Sequence, residues 1–170
     1  MKRFKQALYF CLLIHAHLSV AQTCNPHIIA DAPDNRYSMN ANGTVLDKKT
    51  ALTWMRCALG QTWNKGVCIG SAQSHNWQSA LENAKNTEFA GKNNWRLPNQ
   101  KELQSLVESR CYDPAINLTA FPNAVSDLFW SSSPAAYLSS SAWLVYFGYG
   151  YGAWYHKDGV YYVRLVRNGR

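Results

Sequence analysis

The chain has 170 residues, with 17 Lys and Arg against 10 Asp and Glu, a formal charge of +7. Hydrophobic residues make up 47% and charged residues 16%, which excludes an intrinsically disordered chain. The length suits one compact domain, and beyond the first segment there is no apolar run of roughly 18 residues, so no membrane-spanning helix is expected.

Met1–Ala21 has the pattern of a secretory signal. Lys2, Arg3 and Lys5 form a basic start. Ala7–Leu18 is apolar apart from His15 and His17, and Ser19-Val20-Ala21 offers small residues for cleavage after Ala21. An apolar stretch of about 12 residues is too short for a membrane anchor. Cys24 lacks the apolar and small residues that precede a lipidated cysteine. The mature chain is then a single domain over residues 22–170. It loses three basic residues and no acidic one, so its charge falls from +7 to +4. The remaining basic residues are dispersed, which points away from nucleic acid and toward an anionic polysaccharide or an envelope component.

Cys11 leaves with the signal. Cys24, Cys57, Cys68 and Cys111 remain, an even number suited to an oxidising compartment. Of three pairings, Cys57–Cys68 and Cys24–Cys111 are expected, because Gly60, Asn64 and Gly66 let the short loop turn. No zinc site or other cofactor is expected. There is no CxxC pair, and His27, His75 and His156 lack ligand spacing.

Gln22–Tyr37 is polar, contains proline and reads as extended. Asn42-Gly43 is a turn signal. Thr44-Val45-Leu46 reads as a strand, Asp47–Thr50 as a polar turn and Leu52–Arg56 as the hairpin partner. Trp77, Leu81 and Ala84 recur at helical spacing, with Ser74 or Asn76 as the N-cap. Trp95-Arg96-Leu97-Pro98 is a stiff extended link. Asn99 then caps a second helix, with Glu102 in its first turn and Leu103, Leu106 and Val107 on its apolar stripe, ending near Ser109. Tyr112–Leu128 is loop-like. Further strands are expected at Phe129–Ser132, at Trp143, Val145 and Phe147, and at Tyr161, Val163 and Leu165. Gly148, Gly150, Gly152 and Gly159 punctuate the connection between the last two. The fold class is α+β: a small antiparallel sheet with two short helices and long ordered loops, stapled by disulfides.

Several spaced motifs coincide in this order. They are Gly43-Thr44-Val45 with Asp47, Trp54 and Arg56; Trp77 with Ala80-Leu81; Trp95-Arg96-Leu97-Pro98 with Glu102-Leu103; Pro114–Asn117 with Phe121-Pro122; Trp130-Ser131-Ser132; Ala142-Trp143; and Val163–Arg167. Together they resemble the Lcl C-terminal domain family, named after the C-terminal domain of a Legionella collagen-like adhesin, over roughly Tyr37 to Arg167. The Trp-Arg-Leu-Pro segment is also similar to that of C-type-lectin-like and formylglycine-generating-enzyme-like folds. The resemblance implies an exported bacterial module that binds sulfated glycosaminoglycans and assembles as a trimer. The sequence contains no Gly-X-Y repeat, so the collagen-like stalk is not carried over. No cysteine follows Cys111, so formylglycine-generating chemistry is not carried over either.

The strongest binding candidate is the aromatic-glycine segment carrying Tyr149, Tyr151, Trp154, Tyr155, His156 and Lys157. Tyr and Trp faces stack on sugar rings, and Lys157 and His156 suit sulfate, phosphate or carboxylate. A hairpin packed on its own domain, or a subunit contact, are the alternatives. Arg96 and Glu102 read as a structural pair that fixes the crossover into the second helix. Trp54, Trp77, Trp95, Trp130 and Trp143 read as core, and Arg164 as structural. Arg167 and Arg170 read as solvated.

Catalytic readings are weak. His156 and Asp158 are too close to make a triad without a distant nucleophile. Glu102 and Glu108 share no helix face, and there is no phosphate or calcium loop. The expected function is a secreted, non-catalytic binding module for an anionic or sulfated polysaccharide or an envelope component. A protein-interaction or structural domain of the envelope, including a homo-oligomer, is the alternative, and a hydrolase ranks last.

Overall fold

The computed structural model describes residues 21–169. Apart from Ala21, the expected signal segment lies outside the described residues, as does Arg170.

The fold starts from a hairpin of β3 (Thr44–Asp47) and β4 (Leu52–Met55). Val45 faces Trp54 across the ladder, and both are fully buried. Gly43 enters this hairpin at φ +83°, where an added Cβ would lie 2.5 Å from Trp63 Cγ. Only glycine meets both conditions without strain. Asp47 ends β3 and closes the turn, accepting from Lys49 N at 3.0 Å and Thr50 Oγ1 at 2.7 Å. β2 (Tyr37–Met39) and β11 (Val166–Asn168) flank the pair, giving the order β11-β4-β3-β2.

A second sheet has the order β10-β9-β8, formed by β8 (Leu128–Ala135), β9 (Leu138–Tyr146) and β10 (Tyr151–His156). Two short ladders complete the fold. β1 (Thr23–Cys24) pairs with β7 (Cys111–Tyr112), and β5 (Thr62–Asn64) with β6 (Val67–Ile69). All four sheets are antiparallel. The expected small sheet is thus divided in two, with accessory ribbons.

Both expected disulfides are present. Cys24–Cys111 joins direct register partners of β1 and β7, and Cys57–Cys68 closes the loop around β5 and β6. Helix α1 (Trp77–Asn86) starts at Asn76, whose side chain accepts from Ser79 N, and buries Ala80 and Ala84. Helix α2 (Gln100–Gln104) carries a capping box: Glu102 N donates to Asn99 Oδ1 and Asn99 N to Glu102 Oε2, both at 2.8 Å. It ends earlier than its apolar stripe suggests. Leu106 and Val107 are still buried, because the chain continues in turns bonded to Leu103 O and Gln104 O.

The β8–β9 pair is covered on both faces. Phe129 and Val145 enter a core with Trp54, Leu103, Leu106 and Phe121. Trp130 and Leu144 enter the other, with Trp95, Leu97, Val163 and Leu165.

Three expectations are corrected here. The aromatic-glycine connection is itself the edge strand β10. The strand expected over Tyr161–Leu165 is irregular: Tyr161 bridges His75, Tyr162 bridges Phe129, and regular pairing begins at Val166. Arg164 sits there fully buried, donating to the carbonyls of Met55 and Arg56, so a side chain replaces part of the ladder. Finally, Trp143 and Trp77 are only half-buried, Trp77 packing against the margin of the second core, whereas Trp54, Trp95 and Trp130 lie within the cores.

Candidate functional site

The sequence-predicted residues do not form one patch. The β9–β10 register pairs Tyr151 with Tyr146, Trp154 with Trp143, Tyr155 with Ala142 and His156 with Ser141. Side chains alternate along a strand, so Tyr151 and Tyr155 point to one face of the hairpin and Trp154 and His156 to the other.

On the first face Tyr151 meets Tyr146 at 5.3 Å between ring centroids, and Tyr146 meets Tyr149 at 5.9 Å. Tyr149 stacks on Tyr112 at 6.1 Å and 18°, extending the cluster past the hairpin turn. Tyr155 belongs to a separate cluster. It leans on Tyr161, 5.6 Å away, which packs edge-on against Trp130. Burial first, then the nearby Tyr155, Asp127 and Asp158, push the Tyr161 phenol above its ordinary value. Lys157 is drawn away from these aromatics. Its Nζ donates to Ser139 O at 2.6 Å and lies 4.5 Å from the centroid of the Trp77 ring.

On the other face Trp154, half exposed, stands opposite Trp143. Together with Gly152, Ala153, Tyr155 and His156 they line a shallow apolar groove of about 510 Å³. The floor beside Gly152 belongs to α2: a Cβ at this position would lie 3.1 Å from Gln100 Nε2 and 3.4 Å from Gln104 Oε1. Gln104 Nε2 also donates to Gly150 O at 2.9 Å, tying the helix to the hairpin. Exposed Lys101 is carried on this same helix.

Sequence reasoning missed Trp143 as a groove residue. It alternates with Val145 and Phe147, which are buried, and so reads as core. The three share a face, yet Trp143 is only half-buried while Val145 and Phe147 are buried. Nothing in the local pattern marks that difference. The register partner of Trp143, Trp154, is exposed, as are most residues of β10, and the pairing becomes visible only once the hairpin is known.

Arg96 and Glu102 form the expected pair. Arg96 Nη1 and Nη2 donate to the two carboxylate oxygens, each at 2.7 Å. Burial alone would raise Glu102, but the bonds from Arg96 and the Asn99 amide hold it below its ordinary value. The pair borders a cleft of about 580 Å³ between α1 and the Asn93–Asn99 segment, floored by Leu81, Ala84, Trp95 and Leu97.

The other buried carboxylates are likewise bound to the fold. Asp47 holds Arg36, with Nε at 2.7 Å from Oδ1. Glu108 accepts from the amides of Ala32, Asp31 and Arg110. Among the described residues no group of three or more His, Cys, Asp or Glu is placed to hold a metal ion, and no helix is long and apolar enough to cross a membrane.

No curated protein matches the chain. A model of the Lcl C-terminal domain matches residues 43–167, which run from the turn glycine of the first hairpin through the α2 capping box and the aromatic edge hairpin to β11. With well over half its length matched and the expected motifs in their structural places, this chain belongs to the Lcl C-terminal domain family.

Proposed function

We propose that this domain is an exported, non-catalytic, adhesin-like module that binds a polysaccharide, with preference for anionic or sulfated chains. One observation carries the reading: Trp143 and Trp154 are register partners on an outward face, with a shallow apolar groove between them. Indole faces stack on the C–H faces of sugar rings, and a shallow groove accepts a chain without enclosing its ends. His156 at one end of the groove and Lys101 on α2 supply donors, and the net positive charge of the chain favours an anionic ligand. Two disulfides support export to an oxidising compartment. The commitment of Asp47, Glu102 and Glu108 to structural bonds supports a binding role over hydrolysis. The C-type-lectin-like arrangement inferred from Trp95–Pro98 is part of the same proposal.

Binding of the purified protein to sulfated and desulfated polysaccharide at two salt concentrations tests it. Affinity should fall with salt and on desulfation. Trp154→Ala should weaken binding by about tenfold, in the range of a lost stacking contact. Equal binding by Trp154→Ala, or none by the parent protein at low salt, refutes the groove. In the second reading, the exposed tyrosines Tyr112, Tyr149 and Tyr151 form a protein-contact patch. Loss of a partner on Tyr149→Ala, with Trp154→Ala silent, would favour it.

A further inference from the structure

Four tyrosines meet at the β9–β10 turn. Tyr146 closes β9 and faces its register partner Tyr151, with ring centroids 5.3 Å apart and planes at 65°. Tyr149, in the turn, meets Tyr146 at 5.9 Å and 60°. Tyr149 and Tyr151 make ring contact with Tyr146 and none with each other, so they flank it separately. The Tyr146 ring lies over Gly148, where an added Cβ would overlap its Cζ and Oη, so the turn backbone backs this ring. Stacking on Tyr112 at 18° occupies one face of Tyr149, and the strand of Tyr112 is held by the adjacent Cys24–Cys111 bridge. The rings stay open to solvent: Tyr149 is 63% exposed, Tyr151 53% and Tyr112 45%.

Two carboxylates adjoin the rings. Asp113 N donates to Gly148 O at 2.9 Å, and Phe147 N donates to Asp127 O at 3.0 Å, so both acids are tied to the turn that follows Tyr146. Asp113 Oδ1 accepts from Ser126 Oγ, and Asp127 Oδ1 from Leu128 N. Among the described residues neither is in an ion pair, unlike Asp47, Glu102 and Glu108. Burial first, then the charges of Asp113 and Asp127, push the Tyr146 phenol above its ordinary value, as expected of carboxylates close to that ring. Aromatic faces are themselves electronegative. Rings and carboxylates therefore carry one sign, and the patch repels anions and attracts cations.

We propose that this tyrosine cluster binds the trimethylammonium group of a choline-type ligand. Such a cation is large and weakly hydrated, and it has no N–H to donate. Ring faces hold it, with carboxylates acting at a distance, and the cluster supplies both. A primary ammonium needs several acceptors at hydrogen-bond distance, whereas Asp113 and Asp127 each have one oxygen already engaged. Tyr146 forms the floor of the site, and Tyr149 and Tyr151 its sides. The site is independent of the polysaccharide reading, which calls for the opposite charge.

Calorimetric titration of the purified, disulfide-bonded protein with tetramethylammonium chloride and with choline chloride, at constant ionic strength, should give saturable binding with a Kd of about 1 mM. Ammonium chloride should give none. Tyr149→Ala and Tyr151→Ala should each weaken binding by about fivefold at an unchanged melting temperature, whereas Tyr149→Phe should keep it, because the ring face and not the hydroxyl makes the contact. Trp154→Ala should leave it unchanged, so failure of the groove and failure of this site are read separately. Cosedimentation with phosphatidylcholine vesicles, against phosphatidylglycerol vesicles, assigns the source. Capture by phosphatidylcholine alone marks a lipid headgroup, and binding of the solutes without vesicle capture marks a free choline compound. No saturable binding of tetramethylammonium, equal binding of ammonium, tighter binding of an oligolysine peptide, or full affinity in both alanine variants would overturn the proposal.

Discussion

Arg36 and Asp47 are joined by two hydrogen bonds, Nε to Oδ1 at 2.7 Å and Nη2 to Oδ2 at 2.5 Å, and both side chains are buried. Arg36 Nη1 also donates to Ser105 O at 2.9 Å, just past the end of α2. The pair therefore ties the β2–β3 hairpin to the segment that carries the groove-bordering helix. Asp47→Asn leaves a buried guanidinium without its counter-charge. It should cost about 3–5 kcal/mol, read from urea denaturation. A loss within error of zero would show that the pair is dispensable.

Acid should act through the same carboxylate. Burial alone would raise Asp47, but the bonds from Arg36 and Thr50 and the Arg36 charge hold it below its ordinary 3.8. Glu102 is likewise held below its ordinary 4.5. Where the folded value is depressed, the unfolded chain binds the proton more tightly. The stabilisation is therefore complete above the ordinary value and is lost as pH falls through it toward the folded value. Stability should be flat near neutrality and decline below about pH 4.5. In Asp47→Asn the acid decline should be shallower, which denaturation midpoints across a pH series would reveal.

The two disulfides should differ in worth. Cys57–Cys68 spans 11 residues and Cys24–Cys111 spans 87. The chain-entropy argument gives about 3 kcal/mol for the short loop and about 4.5 for the long one. Paired Cys→Ala variants, compared by denaturant midpoints at constant slope, should rank in that order. The reverse order would indicate that the β5–β6 ribbon organises more of the core than loop closure suggests.

Arg164 lies with its guanidinium 4.8 Å from the Phe121 ring and 5.6 Å from the Phe129 ring. Burial pushes it down to about 9, which leaves it charged at neutral pH. Its bonds run to two backbone carbonyls, so planarity and ring stacking matter more than charge. Arg164→Lys should therefore destabilise at least as much as Arg164→Met, each by about 2–4 kcal/mol. A Lys variant close to the parent in stability would contradict this account.

Gly43→Ala should cost more than about 1 kcal/mol, because the left-handed backbone and the Trp63 contact both penalise a methyl group. Fluorescence of Trp63, whose Nε1 donates to Ala41 O, should change in parallel. An Ala variant with unchanged stability and emission would place the turn outside the cooperative core.

The local elements were legible because their signals are local. Asn42-Gly43 marks the first turn, Asn76 and Asn99 cap the helices, and Glu102 completes a capping box three residues after its cap. Cysteine parity and the turn-forming glycines led to both disulfide pairs. The ordered motifs carried the family. What the sequence could not decide was which side of a strand meets solvent. β9 is buried at both Leu144 and Val145, so alternation along it does not separate inside from outside. Trp143 is only half-buried although Val145 on the same face is buried, and Arg164 enters the core because its guanidinium bonds the distant carbonyls of Met55 and Arg56. The split of Tyr151 and Tyr155 from Trp154 and His156 follows from strand pairing, which glycines between aromatics had disguised as a loop. Composition and spacing determine which residues can bind. Long-range pairing decides which of them share a face, because burial depends on neighbours far away in the chain.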